Sequence, residues 1–236
     1  MNINWIKTIV VLLLIGLNTA ESRGQGNTYV ALYPDECREA EVFYSEHKSL
    51  FEAAVQGMDV TPEFLFAVVA PELTQYSYLR NKLETYSLKV FYVQAGKAYS
   101  DFSIGYFQMK PSFIEKLEEY VSADSLLKTR YAFCLFDRPD ERASRTERIS
   151  RLGTVEWQIK YLAVFCGIVN QKFAAVAFST EEEKLRFYAS AYNCGFHKTA
   201  TQIKEMEQKS IFPRFSTQKF KYADISVWFY NRRKFS

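Results

Sequence analysis

Apolar residues recur at intervals of three and four over most of the chain, which is the spacing of one buried face of an α-helix. Over residues 35–56 this spacing predicts a helix that buries Phe43 and Phe51. The same pattern predicts helices over residues 112–121, 125–136, 154–177, 180–192 and 217–230. The hydrophobic pattern therefore predicts a mainly α protein.

The clearest helix start is at residues 61–63. Thr61 can accept a hydrogen bond from the first turn, Pro62 suits the first helical position, and Glu63 complements the positive end of the helix dipole. Residues 64–70 are almost wholly apolar, so this helix is expected to be central and buried on most sides. Pro71 lacks a backbone N–H and is expected to bend or end the helix.

The middle of the chain departs from this spacing. Residues 88–93 (LKVFYV) are rich in β-branched and aromatic side chains, which favours a strand over a short helix. Residues 96–107 mix Gly, Ser and aromatic residues, which indicates an irregular segment, and the charged residues 137–150 are typical of a surface loop. We therefore expect residues 34–236 to form one mainly α domain with a small irregular or β element near its middle.

The first twenty residues have the layout of a secretory signal peptide. Lys7 ends a short basic region, residues 8–17 (TIVVLLLIGL) are apolar, and Asn18, Thr19 and Ala20 offer a small-residue cleavage site. The apolar run is short for a bilayer span, although an uncleaved anchor is the alternative. Residues 21–33 are expected to be a linker, and the mature protein is expected in the periplasm or cell envelope without a stable membrane span.

Charge and cysteine content restrict the classes of function. With 30 basic and 27 acidic residues the chain carries a net charge of +3 and no basic stripe, so a nucleic-acid partner is not expected. The four cysteines lack the spacing of a metal site, and we expect no metal and no cofactor. In an oxidising compartment they form up to two disulfides or remain buried thiols, and both readings stay open.

Glu72 is the residue that most suggests chemistry. It follows the apolar run 64–70, and a carboxyl group against an apolar wall has a raised pKa because burial penalises its charged form. A raised pKa suits a general acid near neutral pH. The alternative is that Glu72 emerges into solvent where the helix ends.

Two further motifs accompany Glu72. Residues 105–112 read Gly-Tyr-Phe-Gln-Met-Lys-Pro-Ser, and residues 191–195 read Ala-Tyr-Asn-Cys-Gly. With the segment from Pro62 to Glu72, these motifs resemble, in order, those of the lytic transglycosylases of the lysozyme superfamily, the group of soluble lytic transglycosylases and goose-type lysozymes. The resemblance covers roughly residues 58–230 and implies a lysozyme-like fold with a small β element beside the active-site cleft.

The resemblance implies an exported enzyme that cleaves peptidoglycan glycan strands. Glu72 would protonate the β-1,4 bond between N-acetylmuramic acid (MurNAc) and N-acetylglucosamine (GlcNAc), then deprotonate the muramyl C6 hydroxyl to leave a 1,6-anhydro end. The substrate-binding residues would be Gln108, Met109, Tyr192 and Asn193.

The sequence departs from the family pattern beside Glu72. Leu73 stands where the family usually has Ser, residues 74–99 contain an insertion, and Phe220 occupies the position of a family Tyr that Tyr222 can replace. Two alternatives remain open. A hydrolytic muramidase would use Asp101 as a second carboxylate, although an Asp in a loop commonly caps a turn, and an inactive protein would only bind peptidoglycan.

Overall fold

The computed structural model describes residues 25–80, 85–137, 140–214 and 216–234. Within these residues the chain is mainly helical and adds a two-stranded antiparallel sheet, as the sequence predicts. The helices are α1 (Pro34–Ala54), α2 (Pro62–Arg80), α3 (Thr85–Ala95), α4 (Pro111–Ala123), α5 (Ser125–Tyr131), α6 (Glu141–Leu152), α7 (Val155–Lys172), α8 (Glu181–Cys194), α9 (Ala200–Glu207) and α10 (Tyr222–Lys234). A 3₁₀ turn (Ala132–Cys134) follows α5, and the strands are β1 (Ser210–Phe212) and β2 (Phe220–Lys221).

Helix α2 is the centre of the fold. The backbone N–H of Phe64 donates to Thr61 Oγ1 at 3.1 Å, so the predicted helix cap is confirmed. The side chains of residues 64–70 are fully buried, and α1, α7, α8 and α10 pack around the helix. Of the two effects expected at Pro71, a bend or an end, the end is absent, because the helix continues to Arg80.

Helix α10 packs against α2 beside Pro71. Pro71 removes the N–H that would bond to the Ala67 carbonyl, and the Tyr222 hydroxyl donates to the adjacent Val68 carbonyl at 3.1 Å. The expected amphipathic helix over residues 217–230 begins only at Tyr222 and is buried on most sides. Contact with α10 therefore supports the part of α2 that Pro71 would otherwise weaken.

The described part of the expected linker is not extended. Residues 25–32 are helical, and Tyr29 is fully buried against Phe212 and Phe220. Burial of this aromatic ring orders the segment despite its polar composition. The predicted signal peptide, residues 1–20, lies outside the described residues.

Two predictions for the middle of the chain are wrong. Residues 88–93 belong to helix α3 rather than to a strand, since a short apolar run does not distinguish the two. The charged residues 137–150 mostly form α6, where Asp140 caps the start. Charges four residues apart pair along its face, Glu141 with Arg145 and Glu147 with Arg151, so a highly polar sequence is helical here.

The β element lies near the C-terminus of the chain rather than in its middle. Strands β1 and β2 pair in antiparallel register, with Ser210 opposite Lys221 and Phe212 opposite Phe220. In the middle of the chain the expected irregular segment holds an isolated bridge between Ile104 and Met109.

All four cysteines are free thiols, so the structure has the buried-thiol alternative and no disulfide among them.

Within the described ranges no single helix combines the length and apolar character of a membrane span, and only α6 and α7 together, bent by 104°, meet that test.

Candidate active site

The residues singled out from the sequence line one cleft. Its volume is about 700 Å³, and its walls come from α2, the 96–112 segment, the end of α8 and the β1–β2 hairpin. Every predicted site residue is among its lining residues, namely Glu72, Asp101, Gln108, Met109, Tyr192 and Asn193. The sequence motifs, which together span more than a hundred residues of the chain, therefore meet at one place.

Glu72 projects from α2 into this cleft and is partly buried. Burial raises the pKa of its carboxyl group to about 7, although the charge of Arg214 and a hydrogen bond from Tyr222 act in the opposite direction. Glu72 lies inside α2 rather than at its end and is only partly exposed, so the alternative that it emerges into solvent where the helix ends is wrong. A carboxyl group with this pKa holds a proton for about half of the time at neutral pH.

The Tyr222 hydroxyl is the neighbouring side-chain group that lowers the pKa of Glu72 by hydrogen bonding. Its ring is buried, and burial together with the charge of Glu72 raises the pKa of its phenol. The hydroxyl donates to the Val68 carbonyl at 3.1 Å and lies close enough to the Glu72 carboxyl to lower its pKa. Phe220 packs edge-to-face on Tyr29 at 5.2 Å and offers no polar group to Glu72.

Thr74 and Gln75, the two residues after Leu73, connect this part of α2 to the N-terminal helical segment, residues 25–32. Leu73 itself is buried, whereas the Thr74 hydroxyl bonds to the Pro71 carbonyl and to the Tyr29 hydroxyl. Gln75 lines the cleft on the same face of α2 as Glu72, and its Nε2 donates to the Tyr29 hydroxyl at 3.2 Å. Sequence reasoning missed Gln75, for which the three-residue spacing from Glu72 was the available signal.

A tight hairpin at residues 104–109 forms the opposite wall. Ile104 and Met109 exchange backbone hydrogen bonds at 2.9 and 3.2 Å, and the turn places Gly105 at φ +71° and Gln108 at φ +51°. A Cβ atom at Gly105 would overlap the side-chain amide of Gln158, so both space and backbone conformation require glycine. Gln108 Nε2 donates back to the Gly105 carbonyl at 2.8 Å, which orients its side chain at the cleft wall.

Two side chains from the helical core hold this hairpin. Buried Gln158 accepts from the Phe107 N–H at 3.0 Å and donates to the Leu152 carbonyl at 2.9 Å. The Tyr192 hydroxyl donates to the Phe107 carbonyl at 2.7 Å. Tyr192 therefore positions the hairpin, and its neighbour Asn193 is the polar side chain that this end of α8 offers to the cleft.

Asp101 lines the cleft, but its carboxylate is already engaged. One oxygen accepts from the Ser112 N–H at 3.1 Å, and the other accepts from the Ser112 hydroxyl at 2.8 Å and lies 3.5 Å from Lys110 Nζ. These contacts stabilise the first turn of α4, where the helix dipole favours a negative charge. The arrangement fits the turn-capping reading of Asp101 better than a catalytic role.

The described residues include no group of three or more His, Cys, Asp or Glu side chains placed to hold a metal ion.

His197 lines the cleft just after Gly195, which ends α8 at φ +100°. Burial and the charges of Lys198, Lys172 and Lys116 lower the pKa of His197, which favours its neutral form.

Comparisons with protein-family models, curated proteins and solved structures found no match to this chain.

Proposed function

We propose that this protein is an exported peptidoglycan lytic transglycosylase with Glu72 as its single general acid and base. The observation that carries the proposal is the Glu72 carboxyl, whose pKa is raised to about 7 in a cleft that also contains Gln108 and Asn193. A pKa near the working pH lets one carboxyl group donate a proton in one step and accept a proton in the next.

The reaction uses Glu72 twice. The protonated carboxyl donates to the β-1,4 glycosidic oxygen between MurNAc and GlcNAc, and the C1–O bond breaks. The resulting carboxylate then takes the proton of the muramyl C6 hydroxyl as that oxygen bonds to C1, which forms the 1,6-anhydro ring. Because the attacking hydroxyl belongs to the same sugar, proximity favours it over water.

The surrounding groups have separate roles. Tyr222 orients the Glu72 carboxyl and stabilises its ionised form between the two steps. The side-chain oxygen of Gln108 and the amide of Asn193 offer hydrogen bonds to the acetamido groups of the sugars. Met109 is a buried support of this wall, and Tyr192 fixes the hairpin that carries Gln108.

The hydrolytic alternative needs a second carboxylate that is free to act on water. Asp101 is the candidate, and its oxygens bond to Ser112 and face Lys110, so the geometry favours the transglycosylase. A protein that only binds glycan remains the competing class, because the sequence differs from the family at Leu73 and Phe220.

Mass analysis of the products tests the reaction. The purified protein is incubated with peptidoglycan sacculi, and the soluble fragments are separated and weighed. Anhydromuramyl ends, lighter by one water than reducing ends, are expected, while reducing ends would indicate a hydrolase. The rate is expected to fall above about pH 7 as Glu72 loses its proton.

Glu72→Gln is the essential variant, and Glu207→Gln is its matched control. Burial also raises the pKa of Glu207 to about 7, but Glu207 ends α9 and does not line the cleft. Glu72→Gln is expected to abolish turnover and Glu207→Gln to retain it. If the wild type and Glu72→Gln are equally inert yet both sediment with sacculi, the protein binds glycan without cleaving it.

A further inference from the structure

Four cationic side chains line the cleft, and three of them face an acidic partner. Arg214 is the exception, since it forms no ion pair or side-chain hydrogen bond with any other residue that the structure describes. The paired cations are Lys97 with Glu115 at 2.8 Å, Lys110 with Asp101 at 3.5 Å and Lys116 with Glu119 at 2.5 Å. Among the described residues, Arg214 is therefore the cleft cation without an acidic side-chain partner, and its donors can face a ligand.

The backbone that carries Arg214 is held in place. Lys219 Nζ donates to the Pro213 carbonyl at 2.7 Å and to the Arg214 carbonyl at 2.9 Å. The Tyr33 hydroxyl donates to Ser216 Oγ at 3.0 Å, which ties the same loop to the N-terminal helical segment. The Arg214 side chain is thus exposed at the cleft on a backbone that Lys219 holds, and binding does not have to order that backbone first.

We propose that Arg214 binds a carboxylate of the glycan substrate next to the bond that Glu72 cleaves. The inference rests on the proposed function and names a chemical feature of its substrate. A planar guanidinium group matches a carboxylate through two parallel N–H···O bonds, and its charge is not lost at any relevant pH. Peptidoglycan carries such groups in two places, the lactyl substituent of MurNAc once the stem has been removed and the free carboxylates of an attached peptide stem.

Substrate binding at Arg214 also affects Glu72. In the free protein the charge of Arg214 lowers the pKa of the Glu72 carboxyl against the effect of burial. A bound carboxylate neutralises that charge, so Glu72 holds its proton more tightly when an anionic substrate is present. The catalytic acid is therefore most completely protonated in the complex that needs it.

The test compares Arg214→Gln, Arg214→Lys and the wild type on three glycan preparations of similar chain length. The first carries native peptide stems, the second has its stems removed so that the lactyl carboxylate is free, and the third has its carboxylates converted to methylamides. Lys209→Gln removes one charge from an exposed residue just before β1 that does not line the cleft, and it controls for net charge. Measurements at pH 5 keep Glu72 protonated in every variant.

Arg214→Gln is expected to lose about tenfold in kcat/KM on a carboxylate-bearing glycan and to match the wild type on the methylamide glycan. Arg214→Lys should recover part of the loss, and Lys209→Gln should behave as the wild type. A loss confined to the first preparation identifies the peptide stem as the source of the carboxylate, and a loss on the second identifies the lactyl group.

Equal losses on the charged and the methylamide glycans would overturn the proposal, as would an equal loss in Lys209→Gln. If the wild type cleaves none of the three preparations, the proposed function fails on its own. Binding of the same glycans, measured by calorimetry with the wild type and Arg214→Gln, then still decides whether Arg214 recognises a carboxylate.

Discussion

Replacing Glu72 with Gln is expected to make the protein more stable at pH 8 while abolishing the proposed glycan cleavage. Glutamine has nearly the shape of the protonated acid and never ionises. In the wild type the native pKa is about 7, whereas the ordinary value, expected in the unfolded chain, is 4.5. The native state therefore holds a proton over a pH window in which the unfolded chain has released it.

The size of the effect follows from that window. Below pH 4.5 both states are protonated, and the stabilisation from tighter proton binding is fully present. As the pH rises to about 7 the free energy of unfolding of the wild type falls by about 1.4 kcal/mol per pH unit, or about 3 kcal/mol in all, and it stays low above pH 7. Because Glu72 opens on the cleft and water reduces the penalty, we expect a difference of about 1–3 kcal/mol.

Thermal unfolding of the two proteins at several pH values measures this difference. Each kcal/mol corresponds to about 2–4 °C in Tm for a chain of this size. The Tm of Glu72→Gln relative to the wild type should rise between pH 4 and pH 8, with a midpoint between 4.5 and 7. Glu207→Gln should show a change of the same sign and keep its activity. A Tm difference for Glu72→Gln that is constant with pH would refute the raised pKa.

Three substitutions around Glu72 and the 104–109 hairpin have distinct expected outcomes. Tyr222→Phe removes a hydroxyl that lowers the pKa of Glu72, so this pKa should rise and the fall in activity at high pH should move to higher pH. If the pH at which activity falls does not change, the hydroxyl has a structural role only. Tyr192→Phe leaves a hairpin carbonyl without its donor, and chemical denaturation should show a loss of about 1–2 kcal/mol together with a raised KM. Gly105→Ala should destabilise by about 1–3 kcal/mol more than Gly57→Ala, because both have positive φ but only Gly105 lacks space for a Cβ atom. Equal losses at the two glycines would contradict the steric argument.

The sequence predicted the elements whose signals are local. The helix start at Thr61 is present, because a side-chain oxygen and the N–H groups of the next turn are close in sequence. The strand predicted at residues 88–93 and the loop predicted at 137–150 were wrong for different reasons. A short apolar run fits a strand and a helix equally well. The charged segment forms a helix because its charges pair four residues apart and because buried Arg148 bonds to Glu118 at the α6–α4 contact.

The residues of the cleft divide in the same way into those that a sequence motif predicted and those that only the structure revealed. Glu72, Gln108 and Asn193 were found from motifs, and the structure brings all three to one cleft. Arg214 and Gln75 were not found, since neither belongs to a motif.

Glu72 itself separates what the sequence determined from what the tertiary structure decided. An apolar helix that leads into a carboxylate, with two downstream motifs, was enough to single out Glu72 as a candidate and to suggest its chemistry. Its pKa and its partners were decided by chain that lies far away, because burial and hydrogen bonding depend on what packs nearby. Tyr222 reaches it from α10, and Tyr29 fixes the adjacent turn through Thr74. Such contacts link residues that are distant in sequence, so only the folded chain shows them.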